Sequence, residues 1–147
     1  MNDKIPILLV EDDTVDIKTV KRAFKENHII NPLYVVNNGE EALAFLRNQG
    51  EFADREKAPQ PGIILLDLNM PIMNGLEFLK IMKADGNFKS IPVIVLSTSK
   101  EENDRLATYN LGIAGYIVKP VEFDKFVEAI RTINLYWSLC QLPHQEN

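Results

Sequence analysis

The run Gly62-Ile63-Ile64-Leu65-Leu66 holds no polar residue until Asp67 closes it, and it lies between Pro61 and Pro71. A strand with one face in water alternates polar and apolar residues. A strand without alternation is buried on both faces, the pattern of a parallel sheet covered by helices. Open sheets of that kind carry their sites at the carboxyl ends of the strands, which is where the Asp67 carboxylate is expected to emerge. A second run, Ile5 to Val10, stops at Glu11-Asp12-Asp13. If the two strands are neighbours, three or four carboxylates converge, and so much like charge is tolerated only with a bound cation or with retained protons. The pattern calls for a divalent metal.

The rest of the chain alternates in the same way. After the first strand, Asp13 or Thr14 can cap a helix with the apolar stripe Ile17, Val20, Phe24, ending near Asn27. Leu33 to Val36 is the second strand. Asn37-Asn38-Gly39 supplies a turn, and a helix from about Glu40 buries Leu43 and Leu46 before Gly50 stops it. Residues 49–61 form a polar loop longer than the usual roughly 4 to 6 residues, so it is either a mobile insertion or a recognition surface. A helix starts near Asn74-Gly75 with Leu76, Leu79 and Met82 inward, and Pro92 to Leu96 is the fourth strand. Ser97-Thr98-Ser99 leads to a helix around Glu102 to Leu111. Gly115 to Val118 is the fifth strand, ending at Lys119-Pro120, and the last helix carries Phe123, Phe126, Val127, Ile130, Asn134 and Trp137 along one stripe. Repeated strand–helix units with right-handed crossovers predict an α/β fold, a doubly wound five-stranded parallel sheet of order 2-1-3-4-5. That order makes the first and third strands adjacent at the switch point and brings Glu11, Asp12 and Asp67 together, with Ser97 and Lys119 delivered to the same edge.

Composition narrows the function. At 147 residues, 46% hydrophobic and 25% charged, the chain makes one ordinary domain, placed at 1–137 with a tail at 138–147. Only about ten residues follow the last helix, so no attached output domain is expected. A net charge of −5, with Lys and Arg scattered, leaves no basic stripe for direct nucleic-acid binding. The single cysteine, Cys140, excludes an internal disulfide. The apolar runs have strand length, and Met1-Asn2-Asp3-Lys4 is no signal sequence, so no membrane attachment and a cytoplasmic location are expected. His28 and His144 do not neighbour the acids in sequence and are expected to face solvent.

Acid, acid, hydroxyl and amine at four strand ends suit phosphoryl transfer to a carboxylate, where catalysis is mainly charge neutralisation and alignment. Mg²⁺, a hard ion that keeps several waters, suits Asp12, Asp67 and the backbone carbonyl of Asn69, with Glu11 acting through water; Mn²⁺ or Ca²⁺ can substitute. Lys119 can pair with one phosphoryl oxygen, and the Ser97 hydroxyl can donate to another.

At these residues the chain resembles the receiver domains of bacterial two-component response regulators. The resemblance is carried by Leu8-Leu9-Val10-Glu11-Asp12-Asp13, by Leu65-Leu66-Asp67-Leu68-Asn69-Met70-Pro71 with Gly75, by Pro92-Val93-Ile94-Val95-Leu96-Ser97 and by Gly115-Tyr116-Ile117-Val118-Lys119-Pro120. It spans roughly Ile5 to Ile133. It implies a flavodoxin-like receiver fold in which Asp67 accepts a phosphoryl group from a phosphohistidine of a sensor kinase and slowly loses it. Glu11 and Asp12 would be the acidic pair, Lys119 the family's lysine, Ser97 the switch hydroxyl and Tyr116 the aromatic switch, with a cis Lys119–Pro120 peptide. The long 49–61 loop, the Ser97-Thr98-Ser99 run and the extended last helix resemble, more narrowly, the small stand-alone regulators paired with cyanobacterial phytochromes. In such regulators the final helix contributes to homodimers. Here Tyr136, Trp137, Leu139, Cys140 and Leu142 continue the apolar character, as a contact surface does.

Other readings of the same residues stand beside this one. A strand-end aspartate can be merely a helix cap, and Ser97 and Lys119 can be a strand terminus and a solvated lysine. An aspartyl-phosphate hydrolase of the haloacid-dehalogenase type also uses a strand-end aspartate, but it wants an acid two residues on, where Asn69 stands. A flavodoxin-like cofactor binder needs a Ser-, Thr- and Gly-rich loop after the first strand, and Glu11-Asp12-Asp13 repels a flavin phosphate. An inert receiver-like interaction module needs a missing site residue, and none is missing.

Overall fold

The five apolar runs become five parallel strands hydrogen-bonded in the order β2-β1-β3-β4-β5. They are β1 (Ile7–Val10), β2 (Leu33–Val36), β3 (Ile63–Asp67), β4 (Val93–Ser97) and β5 (Gly115–Val118). A computed structural model describes residues 4–98, 102–119 and 122–139, without the side chains of 102, 103, 106 and 136–139. Among these residues the connecting helices are α1 (Thr14–Glu26), α2 (Gly39–Arg47), α3 (Gly75–Ala84), α4 (Glu102–Asn110) and α5 (Phe123–Leu139). The doubly wound sheet follows as expected, because each central strand is apolar on both pleat faces and needs helices above and below it. β1, β3 and β4 are buried throughout, whereas every residue of the edge strand β5 is half-exposed.

Strand parity sorts the core into two layers. Leu8, Val10, Ile64, Leu66, Val93 and Val95 point to the layer built by α2 and α3, where Phe78, Leu79 and Met82 meet them. Ile7, Leu9, Ile63, Leu65, Ile94 and Leu96 point to the other, against Val20 and Phe24 of α1 and Phe126 and Ile130 of α5. Each such fully buried aliphatic side chain contributes roughly 1.5–3 kcal/mol. α1 and α5 are also joined by the Arg22 guanidinium 4.0 Å above the Phe123 ring and by the Asn27 side chain donating to the Val127 carbonyl at 3.0 Å.

Several boundaries move by a residue or two, each for a local reason. β1 begins at Ile7 rather than Ile5, since Ile7 is the first residue in register with β2 and β3. α2 begins at Gly39, capped by the Asn38 side chain accepting from the Glu41 N–H, so the expected turn is the helix start itself. It ends at Arg47, ahead of Gly50, because Asn48 already adopts the left-handed conformation as the C-cap, with φ 51°. In α3 Leu76 is half-buried, and Phe78 takes the inward place beside Leu79 and Met82. The 49–61 loop contains a short 3₁₀ turn (Gly50–Phe52) and is anchored to the body of the protein. The Asn48 amide donates to the carbonyls of Phe52 and Ala58 at 3.1 and 2.8 Å, Phe52 packs on Phe45, and Ala58 lies in the core. Among the described residues no helix is long and apolar enough to cross a membrane.

Candidate functional site

Register places the chemistry. Val10 pairs with Leu66, so the next residues, Glu11 and Asp67, stand side by side at the carboxyl edge. Ser97 pairs with Val118, and Lys119 follows, its N–H donating to the Ser97 carbonyl at 2.6 Å. Parity then separates the side chains into two groups. Glu11, Asp67 and Lys119 share the pleat face of Leu9, Leu65 and Ile117, toward α1 and α5. Ser97 and Tyr116 share the opposite face.

Glu11, Asp12 and Asp67 each offer a carboxylate oxygen within 4.8 Å of the others. Glu11 and Asp67 are buried and Asp12 is exposed, so the group opens to solvent on one side. The Lys119 ammonium lies 2.7 Å from Glu11 Oε1, 2.8 Å from Asp16 Oδ2 and 3.8 Å from Asp67 Oδ1. Burial, followed by the hydrogen bond with Asp67, pushes the Glu11 carboxyl up to about 8, while Lys119 pulls in the opposite direction. Burial alone would lower the Lys119 pKa, but its hydrogen bonds with Asp16 and Glu11 outweigh that and raise it. These three carboxylates supply hard, negatively charged oxygens around one opening, the donor set that Mg²⁺ or Mn²⁺ takes. A cation there would oppose the part of that rise that comes from the Asp67 carboxylate.

On the other pleat face Ser97 is fully buried. The Asn69 amide donates to Ser97 Oγ at 3.4 Å and to Thr98 Oγ1 at 3.0 Å, and the Asn69 N–H faces Asp67 Oδ1 at 3.4 Å. Tyr116 is half-buried against the α2–α3 core layer. His28 is exposed, in the left-handed conformation just past α1. The Asp67 strand end is braced by α3, whose first N–H, from Gly75, donates to the Leu68 carbonyl at 3.0 Å. The same helix carries a capping box between Asn74 and Glu77. The expected cis peptide involves Pro120, and Cys140, Leu142 and His144 belong to the tail; all lie outside the described residues, as do the side chains of Tyr136, Trp137 and Leu139.

The structure thus gathers Glu11, Asp12, Asp67, Asn69, Ser97 and Lys119 at one edge. It adds residues that the sequence reasoning missed. Asp16, on the first turn of α1, is a partner of Lys119; the only signal was one more acid five residues after Glu11. Thr98 pairs with Asn69. Gly75 sits so close to the Asp67 backbone that a side chain there would overlap it.

Residues 7–131 match the response regulator receiver domain family. The chain is 38% identical over 131 residues to the response regulator Rcp1 of a Synechocystis species, covering 89% of this chain and 87% of that protein. The crystal structure of the phosphorylated cyanobacterial phytochrome response regulator RcpA superposes with a TM-score of 0.85 at 37% identity, over 95% of this chain and 99% of that one. The Mn²⁺-bound form of Rcp1 gives a TM-score of 0.84 at 37% identity, with the same coverage. With its sheet order, its acidic cluster and its half-buried, ion-paired lysine, the chain belongs to the response regulator receiver domain family and is closely related to the phytochrome-associated regulators.

Proposed function

We propose that Asp67 is the phosphoacceptor, with a divalent cation, Mg²⁺ first, held by Asp12 and Asp67 and by the Asn69 backbone carbonyl, and with Glu11 acting through water. The observation that carries this reading is the convergence of Glu11, Asp12 and Asp67 within 4.8 Å beside the Lys119 ammonium. An Asp67 oxygen attacks phosphorus as the bond from phosphorus to the donor's imidazole nitrogen breaks, and the electron pair leaves with the imidazole. When bound, the cation supplies neutralisation of the charge on the incoming group. Lys119 neutralises a phosphoryl oxygen, Ser97 donates a hydrogen bond to another, and Tyr116, on the same pleat face as Ser97, reports that engagement through its ring position. Phosphorylation then shifts the population toward the conformation in which Ser97 and Lys119 close on the group. Asn69 stands where a hydrolase of related chemistry needs an acid, which favours a long-lived phosphoryl group over turnover.

The test is labelling with acetyl phosphate and Mg²⁺. Wild type is expected to take up an acid-stable, base-labile label, and Asp67→Asn to take up none. Label of that kind persisting in D67N removes the assignment. The donor in the cell is a sensor histidine kinase, and likeness to Rcp1 and RcpA supports a phytochrome in that role. Transfer from an autophosphorylated phytochrome kinase is expected to outpace transfer from an unrelated kinase. Equal rates count against that pairing.

A further inference from the structure

We propose that Asp16 is a positioning residue: together with Glu11 it holds the Lys119 ammonium off Asp67, so that the acceptor carboxylate stays open to metal and phosphorus while one N–H of Lys119 is kept for the incoming phosphoryl oxygen. The inference rests on Asp67 as acceptor. An ammonium has three donors, set at tetrahedral angles to one another. Two are engaged at charge-assisted distances, 2.7 Å to Glu11 and 2.8 Å to Asp16. Asp67 Oδ1 lies 3.8 Å from the ammonium, beyond hydrogen-bond reach, which leaves the third donor for an oxygen of a phosphoryl group carried on Asp67.

The lysine has room to be elsewhere. A cavity of about 120 Å³ lies beside it, lined by Asp16, Thr19 and Phe126 among others, so packing alone does not fix the ammonium. Without Asp16 the opposite charge on Asp67 is the nearest attraction left besides Glu11, and a lysine collapsed onto Asp67 occupies the lone pairs that both the cation and the reaction require. Asp16 can do this because α1 begins immediately after the acidic run. Its first turn is fixed by the Asp13 side chain accepting from the N–H groups of Val15 and Asp16, which sets Asp16 over the pleat face on which Glu11 and Lys119 emerge.

Acetyl phosphate labelling and Mg²⁺ affinity by calorimetry, measured on D16A, D16N, K119A and D16A/K119A, test the idea. D16A is expected to label about ten-fold more slowly and to bind Mg²⁺ a few-fold more weakly, a misplacement effect on the scale that small displacements of reacting groups produce. D16N, whose amide oxygen still accepts from Lys119, is expected to stay within about three-fold of wild type on both readouts, since geometry rather than charge is at stake. In the K119A background the Asp16 substitution is expected to change Mg²⁺ affinity by less than about two-fold, because there is no lysine left to misplace. The proposal is overturned if D16A matches wild type, if D16N is as impaired as D16A, or if the D16A effect is the same with and without Lys119. Should D16A fail to fold, D16S makes the same comparison. Failure of wild type to label, or label in D67N, strikes instead at the acceptor assignment, so the two failures are separable.

Discussion

Gly75→Ala tests whether the Asp67 strand end is held by close backbone packing. A Cβ at Gly75 would overlap the Asp67 carbonyl oxygen and come 2.8 Å from Leu68 Cα and 3.0 Å from the Asp67 carbonyl carbon. Carbon atoms at van der Waals contact sit about 3.5–4.0 Å apart, so either α3 or the Asp67–Leu68 segment has to give by about 1 Å. Every atom in the way is backbone, and no side-chain rotation relieves the overlap. Overpacking of this kind costs about 1–3 kcal/mol, and the better helix propensity of Ala returns at most about 1 kcal/mol. The net loss is therefore about 1–2 kcal/mol, or about 2–8 °C in Tm for a chain of this size. If the strand end moves, Asp67 is displaced from Asp12 and Lys119 by a similar distance, and labelling by acetyl phosphate is expected to fall by about 10²-fold. Gly86→Ala is the control, since a Cβ there meets nothing within 4 Å. Thermal unfolding and labelling rates of the two variants decide the matter. G75A as stable and as fast as G86A would refute the packing argument, and lost stability with an unchanged rate would show that α3 yields while Asp67 stays in place.

Further outcomes follow from the site and the tail. Because Glu11 is raised from 4.5 to about 8 in the folded protein, the metal-free native state keeps a proton that the unfolded chain releases between those values. Stability is then fully present below about pH 4.5 and falls as pH rises toward about 8, by an amount on the order of a few kcal/mol. Mg²⁺ has to displace that proton, so its affinity is expected to rise with pH up to about 8; calorimetric titrations at several pH values giving a flat affinity would contradict the protonated Glu11. For the tail, we propose that Tyr136, Trp137 and Leu139 form a homodimer surface, on the strength of their apolar run in the sequence. Sedimentation with and without beryllofluoride is expected to show a dimer that Trp137→Ala weakens, and unchanged mass in all four samples above micromolar concentration would remove the dimer.

The sequence by itself determined the layers and the edge at which chemistry occurs. Short uninterrupted apolar runs alternating with helical stripes point to a parallel sheet covered on both faces, and strand-end polar residues then lie at its carboxyl edge, so Glu11, Asp67, Ser97 and Lys119 could be grouped without coordinates. One cap was legible for the same local reason: Asp13 precedes helical periodicity and offers a side-chain acceptor. Tertiary structure alone decided what depends on two segments meeting. Nothing near Asp16 in the chain marks it as a partner for a lysine 103 residues away, since the contact arises from α1 lying over the pleat face that parity assigns to Lys119. The Gly75 contact with Asp67 is likewise a backbone approach with no local signature, and the end of α2 at Asn48 rather than Gly50 depends on Phe52 and Ala58 offering carbonyls to the Asn48 amide. Periodicity is a property of one segment and shows in the letters, whereas register, parity and close approach are relations between segments and exist only once the chain has folded.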